Sequence, residues 1–306
     1  MEIIFDYQNI PEKAKKSVAA LGNFDGFHKG HKTIIDNCHN IARAKNTPTS
    51  IITFEPHPVS LFKPDSEPFR ITTFEQKAAL IEKCGVDYLF CMKFDKGFSN
   101  ISADDFIEKI LIGDLDVSHV VIGYDFIFGH NRQGNAEFLK ERLDAHNIGF
   151  SQLEAIGSSD ITYSSSKVRE YIKVGDLSKV RQILGHNFKI SGKIIKGDQR
   201  GRQIGFPTAN IELGSYVRPA RGVYAIKVEI EGNLHIGVAN FGIRPSFDGN
   251  KELLEVHIFD FSEDIYGIDI EVELVDYIRE EKRFENIESL ISKIKEDCNR
   301  AKAILV

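Results

Sequence analysis

Several absences narrow this sequence first. The 306-residue chain has no run of about 18 apolar residues, so no spanning helix is expected. Its opening stretch, MEIIFDYQNIPEKAKK, lacks the basic-then-apolar order of a secretory signal. Only four cysteines occur, and no CxxC pair among them. They read as reduced thiols of a cytoplasmic protein rather than a disulfide framework or a zinc site. An excess of positive charge is missing too: 45 acidic against 39 basic residues leave a net charge of -6, which argues against a basic nucleic-acid face. There is no GK[ST] phosphate loop, no internal repeat and no low-complexity tract. A membrane or nucleic-acid partner is therefore not expected, and the sequence is silent on protein partners.

What is present is a globular composition, 42% hydrophobic and 27% charged, long enough for two ordinary domains. The first half alternates apolar strand-like runs with amphipathic stretches. SVAALGNF, TSIITFEP, VDYLFCMKF, HVVIGYDF and FSQLEAI read as strands. HKTIIDNCHNIARAKN, TTFEQKAALIEKCG and the stretches near ADDFIEKILI and AEFLKERLDAHN read as helices. That rhythm predicts a parallel sheet with helices on both faces. SSSKVREYIKVG and DLSKVRQILG follow as two short helices. After about residue 187 the period changes to two. In AIKVEIEG, Ile226, Val228 and Ile230 alternate with charged residues, and IDIEVELVDYI does the same. This predicts antiparallel strands with one wet face, a small barrel or sandwich closed by the amphipathic helix NIESLISKIKEDCNRAKAIL. The expected domains are 1–186 and 187–306.

The first candidate site is LGNFDGFHKGH, at the turn from the first strand into the first helix. In a parallel sheet, ligands bind beyond the carboxyl ends of the strands. Gly22, Gly26 and Gly30 allow close backbone approach, and the helix start offers free N–H groups to an anion. His28 and His31 can donate to phosphate oxygens as charge develops on them. Two other readings of these residues stay open. Asp25, His28 and His31 have the residue types of a metal site, and either histidine can simply cap the turn. Farther on, Tyr124, Asp125, Phe126 and Phe128 can be core residues, and Asp125 at a strand's carboxyl end is the one placed to meet a ligand.

The second candidate site is SGKIIKGDQRGRQIGFPTAN, residues 191–210. A loose glycine-rich loop is weak by itself. PTAN sharpens it: Thr208 and Asn210, two apart on an extended segment, share a face. They offer a hydroxyl and an amide oxygen, neutral ligands suited to a magnesium ion that takes the rest of its shell from water and nucleotide phosphates. A kinase acting on an alcohol also needs a group for the hydroxyl proton. LLEVHIFDF places Glu255 and His257 on the strand face opposite Val256 and Ile258.

GNFDGFHKGH resembles the GxFDxxHxGH signature of HIGH-type nucleotidyltransferases. TFEPHP (53–58), GYDFIFGHNRQG (123–134) and YSSSKVREYIKVGD (163–176) then match, in order, segments of the bacterial bifunctional riboflavin kinase/FMN adenylyltransferases, the prokaryotic FAD synthetases. GKIIKGDQRGRQIGFPTAN, RGVYAI, GVANFGIRPSFD, LEVHIFDF, DIYG and YIREEKRF match the kinase module, so the resemblance spans nearly the whole chain. Departures are mild. Ser166 stands where the family often has threonine, and Phe241 and Ser246 where it often has isoleucine and threonine.

The resemblance implies a Rossmann-like nucleotidyltransferase domain followed by a mainly antiparallel β-barrel. It implies riboflavin, FMN, FAD and ATP as ligands, ATP as co-substrate and Mg²⁺ as cofactor. For the adenylyltransferase it implies ATP at Gly22, Asn23, Phe24, Asp25, Gly26, Gly30, Ser164, Ser165, Ser166 and Arg169, with flavin near Pro56, His57, Pro58 and Asp125. The serines suit triphosphate at a helix start, or plain N-capping, and Arg169 offers a bidentate fork. For the kinase it implies nucleotide at Gly192, Gly197, Gly201, Arg202, Gly205 and Pro207, metal at Thr208 and Asn210, and Glu255 as base. One active half, or a flavin sensor without turnover, are the alternatives; intact motifs in both halves argue against them.

Overall fold

The structure, a computed structural model, describes residues 1–158, 161–196, 201, 204–246 and 249–306, with 244–246 and 249–251 described by backbone alone. Gly197 and Arg202 lie outside the described residues. The chain divides into two compact units, one of residues 1–66 and 74–164 and one of residues 67–73 and 165–306.

The first unit is built on β1 (Glu2–Ile4), β2 (Val18–Leu21), helix α1 (Lys29–Lys45), β3 (Thr49–Glu55), the short helix α2 (Pro58–Phe62), α3 (Phe74–Glu82), β4 (Tyr88–Lys93), β5 (His119–Ile122), α4 (Ala136–Ala145) and β6 (Gly149–Gln152). The strands form one parallel sheet in the order β1-β4-β3-β2-β5-β6. β2 and its neighbours are almost wholly buried because both faces are covered, which is why they read as continuous apolar runs. On α1 the inward stripe is Ile34, Ile35, Cys38 and Ala42, with Ile41 only half-buried. Two features escape the periodic reading. β1 is a three-residue strand, too short to show a period. The segment Phe106–Asp114 winds as a π-helix, and its wider turn lets Phe106, Ile107, Ile110 and Leu111 all reach the core.

Chain order along the sheet runs outward from β2 to β3 and β4, then returns to β5 on the other side. The reversal leaves a crevice at the carboxyl ends of β2 and β5, the place where doubly wound sheets bind ligands.

The second unit opens with α5 (Ser165–Val174) and α6 (Leu177–Leu184), followed by β7 (Phe188–Ile195), β8 (Ala209–Glu212), β9 (Gly222–Ile230), β10 (Asn233–Ser246), β11 (Gly249–Ile258), β12 (Asp269–Glu280) and α7 (Ile287–Leu305). The six strands close a barrel in the order β8-β11-β10-β9-β12-β7, all pairs antiparallel. Alternation sends Tyr224, Ile226, Val228, Phe241, Leu254, Val256 and Leu274 inward. The opposite side of β9 and β10, with Val223, Ala225 and Val238, is covered by α7 through Cys298 and Ala301. α7 is also fastened by charge: Arg279 on β12 donates to Asp297 from Nε at 3.0 Å and from Nη2 at 2.7 Å, a bidentate pair with Asp297 buried. The period change near residue 187 marks the first barrel strand, whereas the compact unit begins at Ser165. α5 and α6 bury Val168, Ile172, Val180 and Ile183, and the Ile172 carbonyl accepts from the Ala220 N–H at 3.1 Å.

The four cysteines are free, and burial raises the Cys38 thiol to about 12. Among the described residues, no helix is long and apolar enough to cross a membrane.

Candidate functional sites of the two units

β2, β3 and β5 are adjacent and parallel, so the turns that follow them share one edge of the sheet. Those turns are the segments nominated from sequence. FDGFHKGH follows β2, EPHP follows β3 and GYDF follows β5. His28 is the N-cap of α1, and the two histidines cap it reciprocally. The His31 N–H donates to His28 Nδ1 and the His28 N–H to His31 Nδ1, each at 3.3 Å. The rings stack with centroids 3.6 Å apart. The capping reading of the histidines therefore holds, but it occupies only Nδ1. Because both Nδ1 atoms accept, hydrogen bonding assigns the proton of each neutral ring to Nε2, so each ring remains a donor. Burial, and then the neighbouring His28 ring and the Lys77 ammonium, hold the His31 pKa well below 6.5 even though part of the residue reaches the surface.

The first turn of α1 holds no acidic residue and begins with the exposed Lys29. A basic first turn runs against the usual preference at a helix start and leaves its partial positive charge uncompensated, as an anion site requires. Gly30 is a steric requirement here: a Cβ would lie 2.9 Å from His28 Nδ1. Gly26 takes a φ of 80° in the turn. Asp25 is buried, and Phe24 packs on the His31 ring at 5.0 Å. Gly22 is half-buried and Asn23 exposed. The metal reading of Asp25, His28 and His31 is not borne out: among the described residues, no group of three or more His, Cys, Asp or Glu is placed to hold an ion.

Downstream of β3, His57 caps α2, its Nδ1 accepting from the Val59 N–H at 3.2 Å; Pro58 is the first helical residue and Pro56 is exposed. Asp125 is exposed beyond β5, beside Gly123, which lies against Ile34 of α1. Ser164 closes the first unit, while Ser165 and Ser166 open α5 in the second. Arg169, also on α5, donates from Nε to the Phe69 carbonyl at 2.7 Å and lies over the Phe69 ring.

Sequence reading missed Lys77. It is only 3% exposed on α3, and its ammonium reaches the Asn23 carbonyl at 3.2 Å, Thr53 Oγ1 at 3.1 Å and Glu55 Oε1 at 2.9 Å. The signal was available: Phe74, Lys77, Ala78 and Ile81 occupy positions i, i+3, i+4 and i+7, so this lysine sits in an apolar stripe.

In the barrel, the register decides the site. β8 and β11 pair Asn210 with Glu255, and β10 and β11 pair Asn240 with the same Glu255. The three side chains thus share one face in a row across three strands, with directly opposed Cβ atoms about 5 Å apart. Asn210 is 3% exposed and its Oδ1 has no hydrogen-bond partner among the described residues. A buried amide oxygen with no partner among the described residues, beside a carboxylate, is an acceptor open to a ligand. That fits a magnesium-bound nucleotide better than a packing role. Thr208 is half-buried just before β8. His257, on the same face as Glu255, donates from Nδ1 to the Pro207 carbonyl at 2.8 Å and so ties PTAN to β11. Gly201 closes over Phe206, whose carbonyl a Cβ would strike. Gly205 has a φ of 87°, Gly192 lies on β7 against Ile211, and Pro207 is exposed. Asn240 and His257 were not nominated as site residues, since cross-strand register is invisible to local pattern.

A doubly wound α/β unit and a closed antiparallel barrel, each with its own candidate site, are the architecture of a two-site transferase. The sequence model of the FAD synthetase family matches residues 10–167, and that of riboflavin kinase matches residues 184–305. The chain is 36% identical over 299 residues to the bifunctional riboflavin kinase/FMN adenylyltransferase of Escherichia coli K12, covering 97% of this chain and 96% of that one. It is 38% identical to the protein of the same name from Bacillus subtilis 168, covering 98% and 96%. A solved structure from Streptococcus pneumoniae, titled a macrolide-efflux protein, superposes with a TM-score of 0.85 at 30% identity and 96% coverage of both chains. The efflux in that title belongs to that protein. This chain belongs to the family of bifunctional riboflavin kinase/FMN adenylyltransferases.

Proposed function

We propose that this chain makes FAD in two steps at two sites, phosphorylating riboflavin to FMN in the barrel and adenylylating FMN in the α/β unit, with ATP as co-substrate in both. The observation that supports this most is the Asn210–Glu255 pairing, a partnerless buried oxygen directly opposite a carboxylate. In the kinase step the riboflavin 5′-hydroxyl gives its proton to Glu255 as its oxygen attacks the γ-phosphorus, and ADP leaves. Thr208 and Asn210 would hold a magnesium ion, which offsets the charge building on the phosphates. His257 keeps PTAN against β11 and so fixes where those two oxygens lie.

In the second step an FMN phosphate oxygen attacks the α-phosphorus of ATP and pyrophosphate leaves. That oxygen is already anionic, so no base is required. The Nε2–H groups of His28 and His31 donate to the charge that gathers on the phosphates, and the start of α1 adds its amides. Neutral His31 keeps that donor without repelling Lys29 or Lys77. Ser164 would add its hydroxyl toward the triphosphate, and the EPHP loop and Asp125 would meet the flavin. A cytoplasmic location fits the ATP supply both steps need. Product chromatography tests the reading. With magnesium and ATP, the protein converts riboflavin to FMN and FAD, and supplied FMN to FAD. Formation of neither product would refute it, and FMN without FAD would leave only the kinase half.

A further inference from the structure

We propose that Lys77 is a positioning residue for nucleotidyl transfer, a bolt that holds the nucleotide turn after β2 to the loop after β3. The proposal rests on the adenylyltransferase reading of the first unit. Lys77 touches neither loop by accident of length. It projects from α3 with its whole side chain buried, and its three N–H donors meet three acceptors. One acceptor is the backbone carbonyl of Asn23, inside the turn that ends in His28 and His31. A second is Thr53 Oγ1 on β3, and that hydroxyl itself donates to the Asn23 carbonyl at 3.2 Å. The third is Glu55, the last residue of β3, immediately before Pro56-His57-Pro58. With all three donors committed, the ammonium has none left for a phosphate. Its role is exerted through the groups it holds.

A buried ammonium is a demanding way to fasten a loop, since a neutral side chain would avoid desolvating a charge. The geometry accounts for the choice. A compact ammonium on a long stem supplies three donors from one atom to a backbone carbonyl, a hydroxyl and a carboxylate at two different strand ends. The same positive charge acts on His31, adding to its burial, to keep the ring neutral. Positioning and charge thus come from one atom.

The test uses the full chain, with Lys77→Met and the pair Lys77→Met/Glu55→Gln. The pair removes the Glu55 charge together with the Lys77 charge that faces it, so it keeps the test open if the single variant fails to fold. FMN-to-FAD kinetics are measured across pH, with riboflavin-to-FMN turnover in the same preparation as an internal standard. Both variants should lose about 10²-fold in kcat for FAD formation, the penalty expected of a displaced catalytic turn. KM for ATP and FMN should change by only a few-fold, and kinase turnover should stay at the wild-type level. The acid limb of the FAD-forming pH profile should move to higher pH, because removing the Lys77 charge lets the His31 pKa rise. A role confined to neutralising Glu55 would instead let the pair regain wild-type FAD formation with an unshifted acid limb, and that result overturns the proposal. Wild-type protein that makes no FAD from FMN would sink the adenylyltransferase reading along with it.

Discussion

Replacing Asn210 by leucine should make the second unit more stable and stop it working. In the ligand-free protein the amide oxygen is buried with no hydrogen-bond partner among the described residues. A buried polar atom in that state costs about 1–3 kcal/mol. Leucine branches at Cγ as asparagine does and carries no polar atom, so most of that cost should disappear. Its greater bulk beside Ile195, the residue paired with position 210 on β7, should return part of the gain. A net gain of about 1 kcal/mol raises the melting temperature of a unit this size by roughly 2–4 °C. The chain has no tryptophan, so circular dichroism is the convenient probe. Melting is followed without ligand and again with magnesium and ATP. The wild type should gain stability from the nucleotide and the variant should gain little. Riboflavin phosphorylation by the variant should fall by at least about 10²-fold, since it lacks one of the two oxygens proposed to hold the magnesium ion that offsets phosphate charge. A leucine variant that melts lower than the wild type and phosphorylates riboflavin at the wild-type rate would refute the reasoning, because Asn210 would then be an ordinary packing residue.

Other outcomes follow from the same geometry. Glu255→Gln keeps shape but removes the proton acceptor, so kinase kcat should drop by at least about 10²-fold, with KM values and the conversion of supplied FMN little changed; steady-state kinetics with both substrates varied would expose a mere surface glutamate by its near-normal turnover. His28→Asn with His31→Gln retains a capping acceptor at each position while removing both imidazoles, so the fold should hold, FAD formation should fail and FMN formation should persist; retained FAD formation would leave the histidines with capping alone. A fragment beginning at Ser165 keeps α5 and α6 on the barrel and should make FMN but no FAD, whereas one beginning at Asn187 exposes the apolar surface those helices cover and should melt lower; equal melting temperatures for the two would contradict that packing.

The fold was legible because each half obeys one period. Buried strands such as Ser50–Phe54 are apolar or small throughout because a parallel sheet covers both faces, while Ile270, Val272 and Leu274 alternate with acids because a barrel covers one. The histidine turn was legible too, since its residues are neighbours in sequence. What escaped depends on distance along the chain. Glu255 faces Asn210 only because β8 and β11 pair in one register, and a slip of one residue would turn the glutamate to the other face. No local pattern encodes that register, so Asn240 and His257 went unnominated. Lys77 escaped for another reason. A helix is read from its apolar residues, and a lysine in the buried stripe looks like an exception until its three acceptors, on β3 and in the loop after β2, are seen. The boundary is a further case: the change of period marks where the barrel's strands start, not where its supporting helices do.

The central claim is that one chain performs two chemically different transfers on the same flavin, and the stoichiometry of the spent nucleotide tests it most directly. Riboflavin is incubated with excess ATP and magnesium until it is consumed, and ADP, pyrophosphate, FMN and FAD are quantified together. FMN should rise first and then fall as FAD appears. One ADP and one pyrophosphate should be released for every FAD, because the first step breaks the bond to the γ-phosphate and the second the bond between the α- and β-phosphates. FAD formed without matching ADP, or riboflavin consumed with pyrophosphate but no ADP, would contradict it.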